Sequence, residues 1–294
     1  MAIIRDMAGE GQTASRIGYA AMIWALAPMI GPALGGVVDE AYGWRAIFWG
    51  LAVAGMAMFA LCWLDLGETN RCPSGTIAQQ FRAYPKLFRA PRFWAYALCM
   101  GFSVGAFYAF LAGAPLVGAT FDLPPASLGF YIGSMTAGFM FGSFMSGRYA
   151  GRYPLTTMMI AGRIVACAGP ALCLILFIAD ITHVIALFGP CILVGIGNGL
   201  TMPSANAGAM SVRPELAGSA AGLAGAITIA GGATLSSITG AVLTDKNAAY
   251  ALFCIMLLAT AIALLTAMFA ALIERRQLYF GNKAQLPVNS SEDE

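Results

Sequence analysis

Charge is scarce in this chain of 294 residues: Asp, Glu, Lys and Arg together make up 10% of it, against about 25% in an ordinary soluble domain. A soluble globular fold is therefore excluded. The sequence holds a single histidine, His183, so it has no histidine cluster for metal binding or paired acid–base chemistry. A Gly-Lys-Ser phosphate loop, a nucleophile beside a base and a pair of carboxylates inside an apolar run are also missing. Their absence argues against an enzyme and implies no cofactor and no metal. Net charge is only +2, too little for an overall field that would attract nucleic acid. Of seven cysteines, Cys62, Cys99, Cys167, Cys173, Cys191 and Cys254 lie inside apolar runs and Cys72 stands alone. That pattern suits neither a disulfide framework nor a zinc site, and the six read as small apolar packing residues. The first residues have no signal-peptide layout, so no cleaved segment is expected.

What is abundant is apolar length: 59% of residues are hydrophobic. A helix needs about 20 mostly apolar residues to cross a bilayer. Eight segments reach that length, at roughly 17–38, 46–66, 93–117, 128–147, 157–179, 184–206, 216–243 and 249–272. The predicted fold class is an all-α polytopic membrane protein with eight spans. An even number of spans puts both ends on one side. Of the 16 Lys and Arg residues, thirteen fall on the side of the termini and only Arg45 and Lys246 lie in the opposite loops. Basic residues in short loops stay in the cytoplasm, so both termini are expected there, with the bilayer as a partner. His183, in a short outer loop, reads as an interfacial residue or as a pH-sensing gate.

Residues 67–92 differ from the other loops, with five basic residues and Pro73, Gly75, Pro85 and Pro91. Ile77, Phe81, Tyr84 and Phe88 recur at helical spacing opposite Arg82, Lys86 and Arg89. This segment reads equally as a short amphipathic helix on the anionic inner leaflet or as a solvated basic linker.

No Asp, Glu or Lys lies in the interior of the expected spans, and Arg163 is the sole basic residue there. It stands two turns into the fifth span, about 10 Å along the helix. It can snorkel to the head groups or pair structurally, or it can serve substrate or coupling. Small residues recur in steps of three and four at Ala27, Gly31 and Gly35, at Ser134, Gly138, Gly142 and Ser146, and at Gly218, Gly222, Gly225, Gly232, Ser236 and Gly240. Such faces let membrane helices approach closely, either for fixed packing or for sliding. Prolines 28, 32, 115, 170, 190 and 203 each free a carbonyl at membrane depth, where only protein or water can satisfy it. Asn198, Thr201 and Asn206 lie around Pro203 in a sixth span rich in glycine, which reads as a cavity wall or as interhelical hydrogen bonding. Phe107, Tyr108 and Tyr131 are candidates to line a pocket for an apolar ligand.

Several segments resemble the major facilitator superfamily, and within it the drug:proton antiporters of the bicyclomycin and chloramphenicol resistance type. Ala27-Pro28-Met29-Ile30-Gly31-Pro32-Ala33-Leu34-Gly35-Gly36 is similar to the antiporter motif of that family's fifth helix. Gly43-Trp44-Arg45-Ala46-Ile47-Phe48-Trp49 and Glu68-Thr69 resemble the two ends of its sixth. Gly147-Arg148-Tyr149-Ala150-Gly151-Arg152 resembles its second basic loop motif. Residues 195–203 and 217–222 resemble its tenth helix and the start of its eleventh. The resemblance implies helices five to twelve of a twelve-helix fold, without counterparts of the first four. Residues 1–66 would be two helices of the first bundle, 67–92 a cytoplasmic linker, 93–272 a complete six-helix bundle and 273–294 a cytoplasmic tail. It further implies proton-coupled efflux of small amphipathic drugs across a bacterial inner membrane. In that reading Pro28, Gly31, Pro32, Gly35 and Gly36 seal against leak, and Asp6 is a candidate coupling or structural residue separated from its partner. A non-transporting remnant or assembly partner is the competing expectation.

Overall fold

The structure is a computed structural model and describes residues 12–24, 38, 41–65, 85, 87–121, 125–181, 183–244 and 247–284. In chain order the helices are α1 (Thr13–Trp24), α2 (Trp44–Asp65), α3 (Pro91–Ala119), α4 (Pro125–Tyr149) and α5 (Leu155–Ile178), then a short α6 (Val184–Phe188), α7 (Ile192–Ser211), α8 (Ala217–Val242) and α9 (Ala248–Ala284). Single 3-10 turns at Gly189–Cys191 and Pro214–Leu216 open α7 and α8. Among the described residues six helical stretches are long and apolar enough to cross a membrane. They are Trp44–Asp65, Pro91–Ala119, Leu155–Ile178, Val184–Ser211, Pro214–Val242 and Ala248–Arg276. Most of the expected first span, residues 25–37, lies outside the described residues, while α4 forms a helix of 25 residues over the expected fourth. Asp65 is the last residue of α2, so an acidic group closes the expected second span. At the chain's end, α9 continues as helix through the first part of the expected tail, to Ala284.

Pro190 explains the break in the expected sixth span. It occupies the first turn of the 3-10 segment, where its missing N–H leaves no bond unmade, and the helix restarts at Ile192. Pro115, Pro170 and Pro203 instead stay inside α3, α5 and α7. Between α4 and α5 the chain reverses at Gly151, whose φ of +87° suits a residue without Cβ.

Helix α7 is the axis of the bundle, packed between α4 and α5 with α3, α8 and α1 around it. Its glycines alternate at 195, 197 and 199, and a 100° helical step sends Gly195 and Gly199 to one face and Gly197 to the other. A Cβ on Gly195 would lie 2.0 Å from the Met135 carbonyl oxygen, and one on Gly199 would lie 2.2 Å from that of Phe139, both on α4. On the opposite face a Cβ on Gly197 would lie 2.3 Å from the Gly162 carbonyl oxygen of α5. Gly138 and Gly142 return the contact from α4, meeting Ile192 and Ile196. The expected stripe on α4 is therefore a helix contact. The stripe on α8 divides: Gly232 is covered by the Tyr108 ring, whereas Gly218, Gly222, Gly225 and Gly240 have nothing within 4 Å among the described residues. Helix α1 docks on α4 through Ser15, which donates to the Gly147 carbonyl at 2.6 Å, and through Gly18 against Gly147.

Two apolar layers fill the bundle. One gathers Phe93, Tyr96, Met100, Met159, Ala205 and Ala263; the other gathers Phe110, Met135, Cys173, Phe188, Val194 and Phe253. Helix α2 has no buried residue. Its aromatic side chains cluster at its two ends, with Trp44 against Phe48 and Phe59 against Trp63, as at the two interfaces of a bilayer.

These contacts set a contrast that thermal unfolding in detergent can measure. Gly197→Ala and Gly199→Ala should each destabilise by roughly 1–3 kcal/mol through overpacking against backbone. Gly222→Ala should stay within about 1 kcal/mol of the parent and on its stable side, since Ala outranks Gly in a helix. Equal midpoints for all three variants would remove the assigned contact.

Candidate functional site

Between the two apolar layers lies a polar layer one side chain thick. Arg163 of α5 sits there with no exposure at all, the largest fully buried side chain in the molecule's described part. It stands eight residues into the helix, about 12 Å from its start, in a span of 24 residues. Its guanidinium does not turn back toward the head groups. Nε donates to Thr201 Oγ1 at 2.9 Å, Nη1 to Ser103 Oγ at 2.6 Å and Nη2 to Asn198 Oδ1 at 2.8 Å. Of the alternatives open to this side chain, the geometry is that of structural pairing and not of snorkelling: acceptors on α3 and α7 hold the charge inside the bundle.

The acceptors are themselves anchored. Asn198 Nδ2 donates to the Ser103 carbonyl at 3.1 Å, Thr201 Oγ1 to the Met159 carbonyl at 3.3 Å, and Ser103 Oγ to the Cys99 carbonyl. No carboxylate lies within 4 Å of Arg163 among the described residues, whose ion pairs are Arg92 with Glu274 and Arg213 with Glu215. The planar guanidinium spreads its charge over several donors and is more weakly hydrated than an ammonium, which suits it to neutral acceptors. Chemically the cluster offers no base, nucleophile or metal ligand set; it ties three helices together.

A second polar cluster, which the sequence reading did not assemble, joins one end of α3 to α9. Arg92 Nη2 lies 2.6 Å from Glu274 Oε1, and the Tyr96 hydroxyl donates to the same oxygen at 2.5 Å. Arg92 also donates to Ser211 Oγ at 3.4 Å, bringing in the end of α7. Tyr96 lies flat where Gly208 leaves room: a Cβ there would come within 2.4 Å of the ring. The sequence signal was faint because Glu274 falls two residues past the last expected span.

The other predicted residues separate. Asn198 and Thr201 are buried at Arg163, whereas Asn206 is half-buried with its amide on the Met202 carbonyl at 3.0 Å. Half-buried Phe107 and Tyr108 sit ring to ring at 5.9 Å, and Tyr131 stacks on Phe188 at 5.4 Å in the second apolar layer. His183 is exposed, and its Nδ1 accepts from the Ile185 N–H at 3.3 Å, capping α6. The antiporter-like residues Pro28, Gly31, Pro32, Gly35 and Gly36, Asp6, and most of the basic loop lie outside the described residues. Of that loop, Leu87 is buried and Phe88 packs on Trp94 at 5.6 Å.

The sequence profile of the Major Facilitator Superfamily matches residues 1–236. The chain belongs to this superfamily. Members of the superfamily are transporters and not enzymes. Among its relatives are a bicyclomycin resistance protein homolog of Haemophilus influenzae, 25% identical over 84% of the chain, and a chloramphenicol resistance protein of Pseudomonas aeruginosa, 27% identical over 74%. The multidrug resistance protein D of Escherichia coli is 29% identical over 73%. The match takes in 63%, 52% and 54% of those three proteins, so this superfamily chain spans little more than half the length of the relatives it matches.

Removing an acceptor and removing the charge have different costs. Asn198→Leu leaves a buried cation short of a partner and should destabilise by about 3 kcal/mol, whereas Arg163→Met removes the charge with its bonds and should cost about 1 kcal/mol. Arg163→Lys, silent for a snorkelling side chain, should lower the unfolding midpoint, because one ammonium cannot serve three acceptors in a fixed fork. Midpoints in detergent rank the three, and a silent lysine variant would sink the assignment.

Proposed function

We propose that this chain acts in proton-coupled efflux of small amphipathic drug-like compounds across a bacterial cytoplasmic membrane, with both termini in the cytoplasm. The observation that carries the reading is the superfamily match together with relatives named for bicyclomycin, chloramphenicol and multidrug resistance. Carriers of this kind work by rocking one helix bundle against another around a central site. Such motion needs bundles that stay rigid, and the Arg163 layer supports that role by binding α3, α5 and α7 into one unit. Half-buried Phe107, Tyr108 and Asn206 are the proposed cavity contacts of this bundle, with Tyr131 at its aromatic edge. Asn198 and Thr201 contribute indirectly, by positioning Arg163 and so the helices that carry those contacts. Pro28, Gly31, Pro32, Gly35 and Gly36 are proposed to form the seal that keeps proton and drug movement coupled.

One observation favours a second reading, a non-transporting membrane protein or assembly partner: among the described residues, none of α2 is buried. Reconstitution in liposomes separates the two. With an imposed proton gradient, the carrier reading expects a fluorescent cationic dye to accumulate and an uncoupler to abolish the accumulation. Helical, folded protein that moves no dye under the gradient supports the second reading.

A further inference from the structure

The second apolar layer holds two thiols in contact. Cys173, near the end of α5, and Cys191, in the 3-10 turn that opens α7, place their sulfurs 3.7 Å apart, and both side chains are buried. The Leu187 carbonyl faces both of them, 3.0 Å from the Cys173 sulfur and 3.6 Å from that of Cys191. Backbone geometry supports the approach: Gly169, one turn before Cys173, lies so close to the 3-10 turn that a Cβ would be 2.7 Å from the Pro190 carbonyl oxygen. The two segments are therefore pressed together beside the sulfurs, where the chain has just reversed through Asp180 at a φ of 60°.

We propose that Cys173 and Cys191 are a dithiol that closes to a disulfide, stapling the end of α5 to the start of α7. A disulfide needs its sulfurs about 2.05 Å apart, a closure of about 1.7 Å from the present contact, within reach of side-chain rotation. The oxidant is a small apolar disulfide able to enter the hydrocarbon region. One thiol attacks its S–S bond, giving a mixed disulfide and one released thiol, which carries away the proton. The second thiol displaces the remaining half of the reagent as another thiol, and the Cys173–Cys191 bond forms. The protein sulfurs lose two electrons and two protons, and the reagent gains both. In the proposed orientation this end of the bundle faces the outer compartment, where disulfides persist. The chemistry is nevertheless read directly, so its failure is distinct from a failure of transport.

The test treats the folded chain in detergent with dipyridyl disulfide until exposed Cys62 is fully labelled, then maps peptides by mass. The expected result is a reductant-sensitive link between the Cys173 and Cys191 peptides with no pyridylthio group on either. In Cys173→Ser the link should vanish. Wild-type mapping suffices if that variant fails to fold. Pyridylthio groups on both cysteines, or both thiols still free while Cys62 is labelled, would overturn the proposal, as would a link from Cys191 to another cysteine in Cys173→Ser.

Discussion

A guanidinium buried at the middle height of an apolar bundle is cut off from bulk solvent, and the packing around Arg163 follows from that constraint. Bringing an unpaired charge into such surroundings costs several kcal/mol unless hydrogen bonds replace its hydration. Here three neutral oxygens from Ser103, Asn198 and Thr201 replace it. Because Ser103 is on α3 and the other two are on α7, the charge can be satisfied only when three helices are in register. The apolar layers above and below give cohesion without direction. The polar layer supplies the direction, since moving any one helix by a turn would strand the cation.

That register depends on how close the backbones come. Gly162, one residue before Arg163, faces Gly197, one residue before Asn198, and a Cβ on Gly162 would lie 2.5 Å from Thr201 Oγ1. The side chains that hold the arginine therefore stand directly beside the glycines that let α5 and α7 touch. The same economy operates at Tyr96, which reaches Glu274 across the space left by Gly208. At these two places a small residue stands beside the polar group it makes room for. Where the small residues have no polar neighbour and nothing within 4 Å, as at Gly218, Gly222 and Gly225, α8 has a bare face among the described residues.

Much of this architecture was legible in the residues. Helical class followed from uncharged runs of membrane length, whereas the alternating glycines 195, 197 and 199 read only as part of a glycine-rich span, and their two crowded faces emerged from the packing. The Arg163 layer was half visible: the sequence showed one cation in an apolar span, free to snorkel or to pair, and polar residues around Pro203, suited to a cavity wall or to interhelical hydrogen bonds, but did not join the two. Nothing in linear spacing joins Arg163 to Asn198 or to Ser103, which are 35 and 60 positions away. The Cys173 and Cys191 contact was hidden for the same reason, since two isolated small residues in apolar runs read as packing.

That the chain is helical and belongs in a bilayer can be read from the residues alone, because composition and period decide how a segment meets lipid and water. Tertiary structure alone decided which helices touch, where the one interior charge finds its acceptors and which glycines are crowded or bare. Those outcomes depend on distances of a few ångströms between residues far apart in the chain. No local pattern encodes them, because each partner's position is set by the packing of every helix between.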